Sequence, residues 1–295
     1  MTPPMTIAAL WRYPVKSMLG EQVDEAELGP VGIPGDRAYA LIDQSDGRVA
    51  SAKHPAKWGA LLGYRARFVE PPVSGKGVAA VTVTFPDGSE VRSDDPGVHE
   101  RLSRALGRDV VLASQAPEHP VFEEVWPDVP GIAPAEFIES VATGRDEVGD
   151  TVSDIALAMG APPGTFFDLA PLHLLTTATL DRLSRLDPGA THDARRYRPN
   201  LVVSAAADAF VEDGWVGRTV GLGADARATV MLSTMRCVMV TLPQADLPRD
   251  RRTLRGIAEH NRVEIPGLGT WACAGVYAGV AASGVVRVGD PVALR

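Results

Sequence analysis

An arginine beside a cysteine, Arg236-Cys237 in the run Ser233-Thr234-Met235-Arg236-Cys237-Val238-Met239, admits few chemical uses. A fixed cation favours thiolate over thiol, and the thiolate is the form that ligates a soft metal or attacks an electrophile. The bland alternative is a core cysteine, since cysteine is among the most buried residue types. Three more clusters set cations at the ends of apolar runs: Tyr13-Pro14-Val15-Lys16-Ser17, Gly35-Asp36-Arg37 and Arg195-Arg196-Tyr197-Arg198-Pro199-Asn200. A cation is costly to bury alone, so each cluster either faces water or meets an anion such as a phosphate. Taken singly, each is a weak signal. His173, on an apolar run, reads as a satisfied core histidine, and Cys273, with no adjacent cation, as structural.

The elements that must carry these groups are mostly short strands. Ile7 to Tyr13, Arg37 to Asp43, Tyr64 to Val69, Val78 to Phe85 and Val110 to Ala113 read as strands, with Asp46-Gly47 and Pro86-Asp87-Gly88 as turns. Later come Leu201 to Val203, Val230 to Leu232, Val238 to Val240 and Val285 to Val288. A helix is expected from Val98 to Leu106, capped by Asp94 or Asp95, and another from Thr176 to Leu186, capped by Thr176 or Thr177. Residues 117–163, rich in proline and acids, read as a solvated connection or lid. The fold class expected is α+β and β-rich, with few helices.

With 295 residues the chain is long enough for one large domain or two modest ones. A net charge of −8 argues against a nucleic-acid polymer or an anionic membrane as partner. No apolar run reaches membrane-spanning length, and the first six residues lack a signal peptide's charged start, so a cytoplasmic location is expected. Cys237 and Cys273, in a reducing compartment, are not expected to pair.

In order and separation, the clusters resemble the MOSC family of molybdenum-cofactor proteins. Tyr13-Pro14-Val15-Lys16-Ser17 and Gly35-Asp36-Arg37 are similar to the family's N-terminal β-barrel domain, which the resemblance places at 1–112. Ala170 to Thr177, Tyr197-Arg198-Pro199-Asn200-Leu201, Asp208 to Trp215, Arg236-Cys237 and Arg287 to Val292 are similar to the MOSC β-barrel domain, placed at 113–295. The amidoxime-reducing branch is the group resembled most.

The resemblance implies a molybdenum cofactor, a metal bound through a molybdopterin, with Cys237 as catalytic metal ligand. It further implies Lys16, Ser17, Arg37, Arg198 and Asn200 on the pterin and its phosphate, with Arg236 and Tyr277 also touching the cofactor. Leu169 and Ala170 depart from the small hydroxyl residues of the mitochondrial members. The activity implied is two-electron reduction of N-hydroxylated substrates, with electrons from a separate ferredoxin or flavin-reductase type protein, because no appended iron–sulfur domain is expected here. His173, Asp208, Glu212 and Asp213 are candidate proton donors. Two alternatives stay open: a persulfide sulfur carrier using Cys237, and a cofactor carrier without turnover.

Overall fold

The computed structural model describes residues 3–157 and 165–295. Seven strands make the central sheet: β1 (Thr6–Arg12), β2 (Leu172–Thr176), β3 (Leu201–Ser204), β4 (Thr219–Leu222), β5 (Ala226–Met235), β6 (Gly269–Ala282) and β7 (Val292–Leu294). Their order is β7-β4-β5-β6-β2-β3-β1, with Glu21–Val23 beyond β1 and Arg262–Ile265 alongside β6. The two ends of that order meet. Ile7 N–H donates to the Asp290 carbonyl, Gly289 N–H to Ile7 and Val292 N–H to Met5, all within 2.9 Å. The sheet is thus barrel-like, closed at this seam by a short bridge rather than a full ladder. Alternate side chains of its strands, including Leu10, Leu174, Leu201, Val230 and Val276, fill the interior.

Only β2 and β3 run parallel, so a crossover joins them. It is made of α2 (Thr177–Leu186) and a short turn of helix, Ala194–Tyr197, which delivers Arg198 and Asn200 just ahead of β3. As expected, Thr176 caps α2, its hydroxyl accepting from Thr179 N–H at 3.1 Å. The fully buried Glu212 accepts from both threonine hydroxyls, at 2.6 and 2.7 Å.

The N-terminal region has its own core around Met18, Leu41, Leu61, Val83 and Leu102. Ala40–Asp43 pairs with Val110–Ala113, and Arg65–Phe68, Val81–Thr84 and Glu90–Arg92 form a three-stranded sheet. Helix α1 (Val98–Leu106) spans the residues its apolar stripe predicts, but neither Asp94 nor Asp95 caps it. Gly97 holds that position, and the Asp95 carboxylate accepts from Gly97 N–H instead. Glu25–Leu28 pairs with Gly284–Arg287, and β1 with β3, so the chain's two ends are interlaced.

Two expectations fail. Val238 to Val240 is no strand: Val238–Thr241 is one turn of 3₁₀ helix, buried on every side. A continuous apolar run carries no periodicity to tell the two apart. Residues 117–157 are not merely solvated either; residues 158–163 of that segment lie outside the described residues. Val121–Trp126, Thr151–Ala156 and Ala142–Arg145 pair as a sheet beside the helix Ala135–Val141, with Phe122, Val125 and Trp126 buried. Acids alternate there with the apolar residues that decide the fold, and one of them, Glu124, faces inward.

Helix α3 (Arg252–His260) was not anticipated. It packs against His192, whose Nδ1 lies 2.6 Å from the Tyr197 hydroxyl while Nε2 meets no partner. Burial lowers His192 to about 4, below the ordinary 6.5. The unfolded chain therefore takes up a proton that the folded one refuses, so this group's contribution to stability is complete above pH 6.5 and is lost as pH falls toward 4. With allowance for solvent screening, about 1–2 kcal/mol should disappear across that window. Urea unfolding of wild type and His192→Gln at pH 7 and pH 4.5 checks this, the variant showing the flatter dependence.

Candidate functional site

All eight site residues expected from the sequence line one cavity of about 770 Å³: Lys16, Ser17, Arg37, Arg198, Asn200, Arg236, Cys237 and Tyr277. Each arrives where a strand ends or bends. Cys237 follows β5 directly, in extended backbone at the start of the 3₁₀ turn, and is half-buried. Tyr277 lies on β6 opposite His173 of β2. Lys16 and Ser17 form the loop after β1, and Arg37 the turn after Gly35.

Three of these residues, Ser17, Arg37 and Arg198, hold left-handed backbone, with φ of 64°, 48° and 56°. Outside glycine, Ala245 is the one other such position among the described residues. Each costs about 1 kcal/mol or more, and such strain persists where the surroundings over-determine it, most often at functional sites.

The cations converge. Arg37 pairs with the buried Asp36 and donates from Nη2 to the Arg198 carbonyl at 3.3 Å. Asn200 Nδ2 donates to the same Asp36 at 2.9 Å. Arg37 and Arg198 stand over the Tyr13 ring at 4.4 and 4.3 Å. Burial, then the charge of Arg37, lowers Arg198 to about 10, and its Nη1 meets no hydrogen-bonding partner. An arginine in that state is prepared for an anion.

Arg236, beside Cys237 in sequence, does other work. Its Nε donates to the Ala274 carbonyl at 2.8 Å and Nη1 to the Tyr197 carbonyl at 3.0 Å, while Nη2 meets His173 Nε2. Extended backbone sends neighbouring side chains to opposite sides, so Arg236 pins the barrel wall instead of activating the thiol. Gly275, at φ +79°, allows this packing: a Cβ there would lie 2.4 Å from His173 Nε2. His173 is accordingly a wall residue, held neutral by burial and by Arg236.

The cation that does favour the thiolate is Lys53, which no sequence cluster marked. Burial dominates all the same and pushes the Cys237 thiol up to about 11, with Lys53 opposing and Glu124 assisting. Burial depresses Lys53 too, but Asp168 and Glu124 outweigh it, and the ammonium stays well above its ordinary range. Lys53 reaches Glu124 at 3.2 Å and Asp168 at 3.5 Å, and Asp168 also takes the Lys16 ammonium. Burial would raise Asp168, but Lys16 and Lys53 hold it far below the usual carboxylate range. Lys53, Asp168 and Glu124 were missed because each stands alone in sequence; Glu124 was counted among acids on an exposed face.

Of the proposed proton donors, only His173 reaches the cavity. Asp208 is exposed and bound to Arg182 and Arg185, Glu212 is enclosed by Thr176 and Thr179, and Asp213 is held by Asn261 and Ser233. Cys273 is buried on β6 and free, its thiol raised to about 12 by burial.

One thiol at the end of a basic cavity is an incomplete metal site, and among the described residues no group of three or more His, Cys, Asp or Glu is placed to hold a metal ion. A metal bound here must bring its remaining ligands with it. An anionic organic carrier of a soft metal fits that donor set: thiolate at one end, arginine and lysine along the sides.

Comparison with known proteins agrees. A MOSC domain matches residues 162–293 and a MOSC N-terminal beta barrel domain residues 4–59. Human mitochondrial amidoxime-reducing component 1 is 26% identical over 98% of this chain and 82% of its own length. Rat mitochondrial amidoxime reducing component 2 is 22% identical over 97% and 82%. Zebrafish molybdenum cofactor sulfurase is 24% identical over 86% of this chain but only 30% of its own length. From the strand framework, the cation-lined cavity and these matches, the chain belongs to the MOSC-domain proteins that carry a MOSC N-terminal barrel domain.

Proposed function

We propose that this protein is a molybdenum-cofactor-dependent reductase that removes oxygen from N-hydroxylated compounds. The observation that carries the reading is the single half-buried thiol at one end of a cavity whose cations outnumber its acids. The names of the human and rat relatives support the substrate class. When bound, the cofactor supplies the two-electron chemistry: the N–O bond breaks and the oxygen leaves as water, with two electrons from a separate donor protein and two protons.

The chain's own residues supply position and charge. Cys237 ligates as thiolate and so sheds its proton on binding the metal. Arg198, with its idle Nη1, and Arg37 and Lys16 neutralise the cofactor's phosphate, and Asn200 adds an amide beside them. Arg236 and Gly275 keep the wall behind Cys237 fixed, and the Tyr277 hydroxyl, raised by burial to about 12, stays protonated as a donor.

The zebrafish relative's name favours a second reading, a persulfide carried on Cys237. A thiol held near 11 is a poor nucleophile at neutral pH, which weighs against it.

Metal and pterin analysis of protein from a host that makes the cofactor, with benzamidoxime reduction by a chemical donor, tests both. Near-stoichiometric molybdenum with turnover is expected; metal-free protein bearing cyanide-labile sulfur would replace the first reading by the second. Arg198→Ala should lower molybdenum content at least several-fold while moving the melting temperature by only a few degrees, because it removes a ligand partner rather than packing. Unchanged metal content would reject that role.

A further inference from the structure

Behind Arg198 lies an adjoining recess of about 490 Å³, reached past the Tyr13 ring and lined by Trp11, Tyr13, Arg65, Arg198 and Gln244. Gln244 is 2% exposed, yet neither its amide nitrogen nor its amide oxygen meets a partner. Arg198 Nη1, on the same recess, is likewise unpartnered. Buried polar groups are almost always hydrogen-bonded, so three idle atoms around one space call for a ligand.

The shape narrows the class. Trp11 and Tyr13 stack with ring planes 17° apart, giving a flat aromatic wall. Gly20 keeps the space beside it open, because a Cβ there would strike the Tyr13 ring at 2.6 Å. The Gln244 turn is held closed by reciprocal backbone bonds to Leu247, and its next residue, Ala245, has φ +48°. Thus the fourth strained non-glycine position of the described residues stands on this recess, as the other three stand on the main cavity.

A carboxamide offers one donor and one acceptor side by side, which matches the cyclic amide edge of a planar heterocycle. We propose that the recess receives the 2-amino-4-oxo-pyrimidine edge of the cofactor, read by Gln244 and stacked against the Trp11–Tyr13 wall. The inference rests on the cofactor reading of the main cavity. That edge has two sources, the pterin ring itself or a guanine appended to the cofactor's phosphate.

The test uses full-length protein from a host unable to make the pterin, titrated calorimetrically with 6-hydroxymethylpterin and, separately, with GMP. Wild type should bind one of the two, and the one bound names the source. Gln244→Leu should weaken that binding at least tenfold and raise the melting temperature of the cofactor-free protein, since two idle buried groups become apolar. A purely structural glutamine would not move the two readouts in opposite directions. Should the leucine variant fail to fold, Gln244→Glu keeps the size, loses the donor and should lose the affinity. Equal affinity in wild type and variants, or no binding of either compound by wild type, overturns the inference. Molybdenum content of wild type from a cofactor-making host separates the two levels: full loading with an indifferent Gln244 leaves the reductase reading standing, and no loading sinks that reading itself.

Discussion

Cys237→Ala is expected to leave a folded protein with no measurable reductase activity and little bound molybdenum. The side chain is half-buried, and it only borders the small apolar cluster of Ala52, Leu62, Val238, Met239 and Leu242, so removing the sulfur costs about 1 kcal/mol of packing. Nothing else in the cavity can replace it, since lysine and arginine do not ligate and no other cysteine lines the space. Serine keeps the shape but offers a hard oxygen, so Cys237→Ser should also lose the metal. The measurement pairs circular dichroism with metal analysis and benzamidoxime turnover. Appreciable turnover by a folded alanine variant would reject the ligand assignment.

Arg236→Leu is expected to act on the fold instead. Its guanidinium is 7% exposed and serves the carbonyls of Ala274 and Tyr197 while backing His173. Leucine fills part of the space but leaves those buried carbonyls without donors, and each such loss costs about 1–3 kcal/mol. A total fall near 3 kcal/mol follows, read as a lower urea midpoint at unchanged slope. Arg236→Lys should recover little, because an ammonium cannot reach both carbonyls as a planar fork does. If Arg236→Leu kept full stability while changing only the reactivity of Cys237 toward an alkylating agent, the arginine would be the thiol's activator after all.

That pair of outcomes marks where sequence reading succeeds and stops. The strands and the two amphipathic helices α1 and α2 were legible because their apolar spacing is local. The eight cavity residues were legible because they fall in short clusters whose order matches a known pattern. The partnership of Arg236 was not, since adjacency in sequence says nothing about which side of the backbone a side chain takes. Lys53, Asp168 and Glu124 were illegible for a different reason: the charge network joining them is made only by folding, from three separate segments. The acidic stretch around Glu124 misled because most acids in it are exposed and the inward one has the same sequence signature. Gln244, with no charge and no motif, gave no sign of being buried and unpartnered.

The seam between Ile7 and the segment 289–292 has a consequence for how the molecule is made. The Lys16 to Phe166 and Tyr13 to Pro199 bonds span 150 and 186 positions, so neither wall of the cavity exists while the chain is short. At about 5–20 residues per second, a ribosome holds the first strand unpaired for on the order of ten seconds or more before β3 emerges. The barrel's closing contacts involve nearly the last residues synthesised, and so a finished cofactor pocket can arise only after release. A metallated cofactor, itself a scarce product of other enzymes, therefore has nothing to dock on during translation. Loading is a post-translational event, and its rate is set by how long a completed but empty barrel persists.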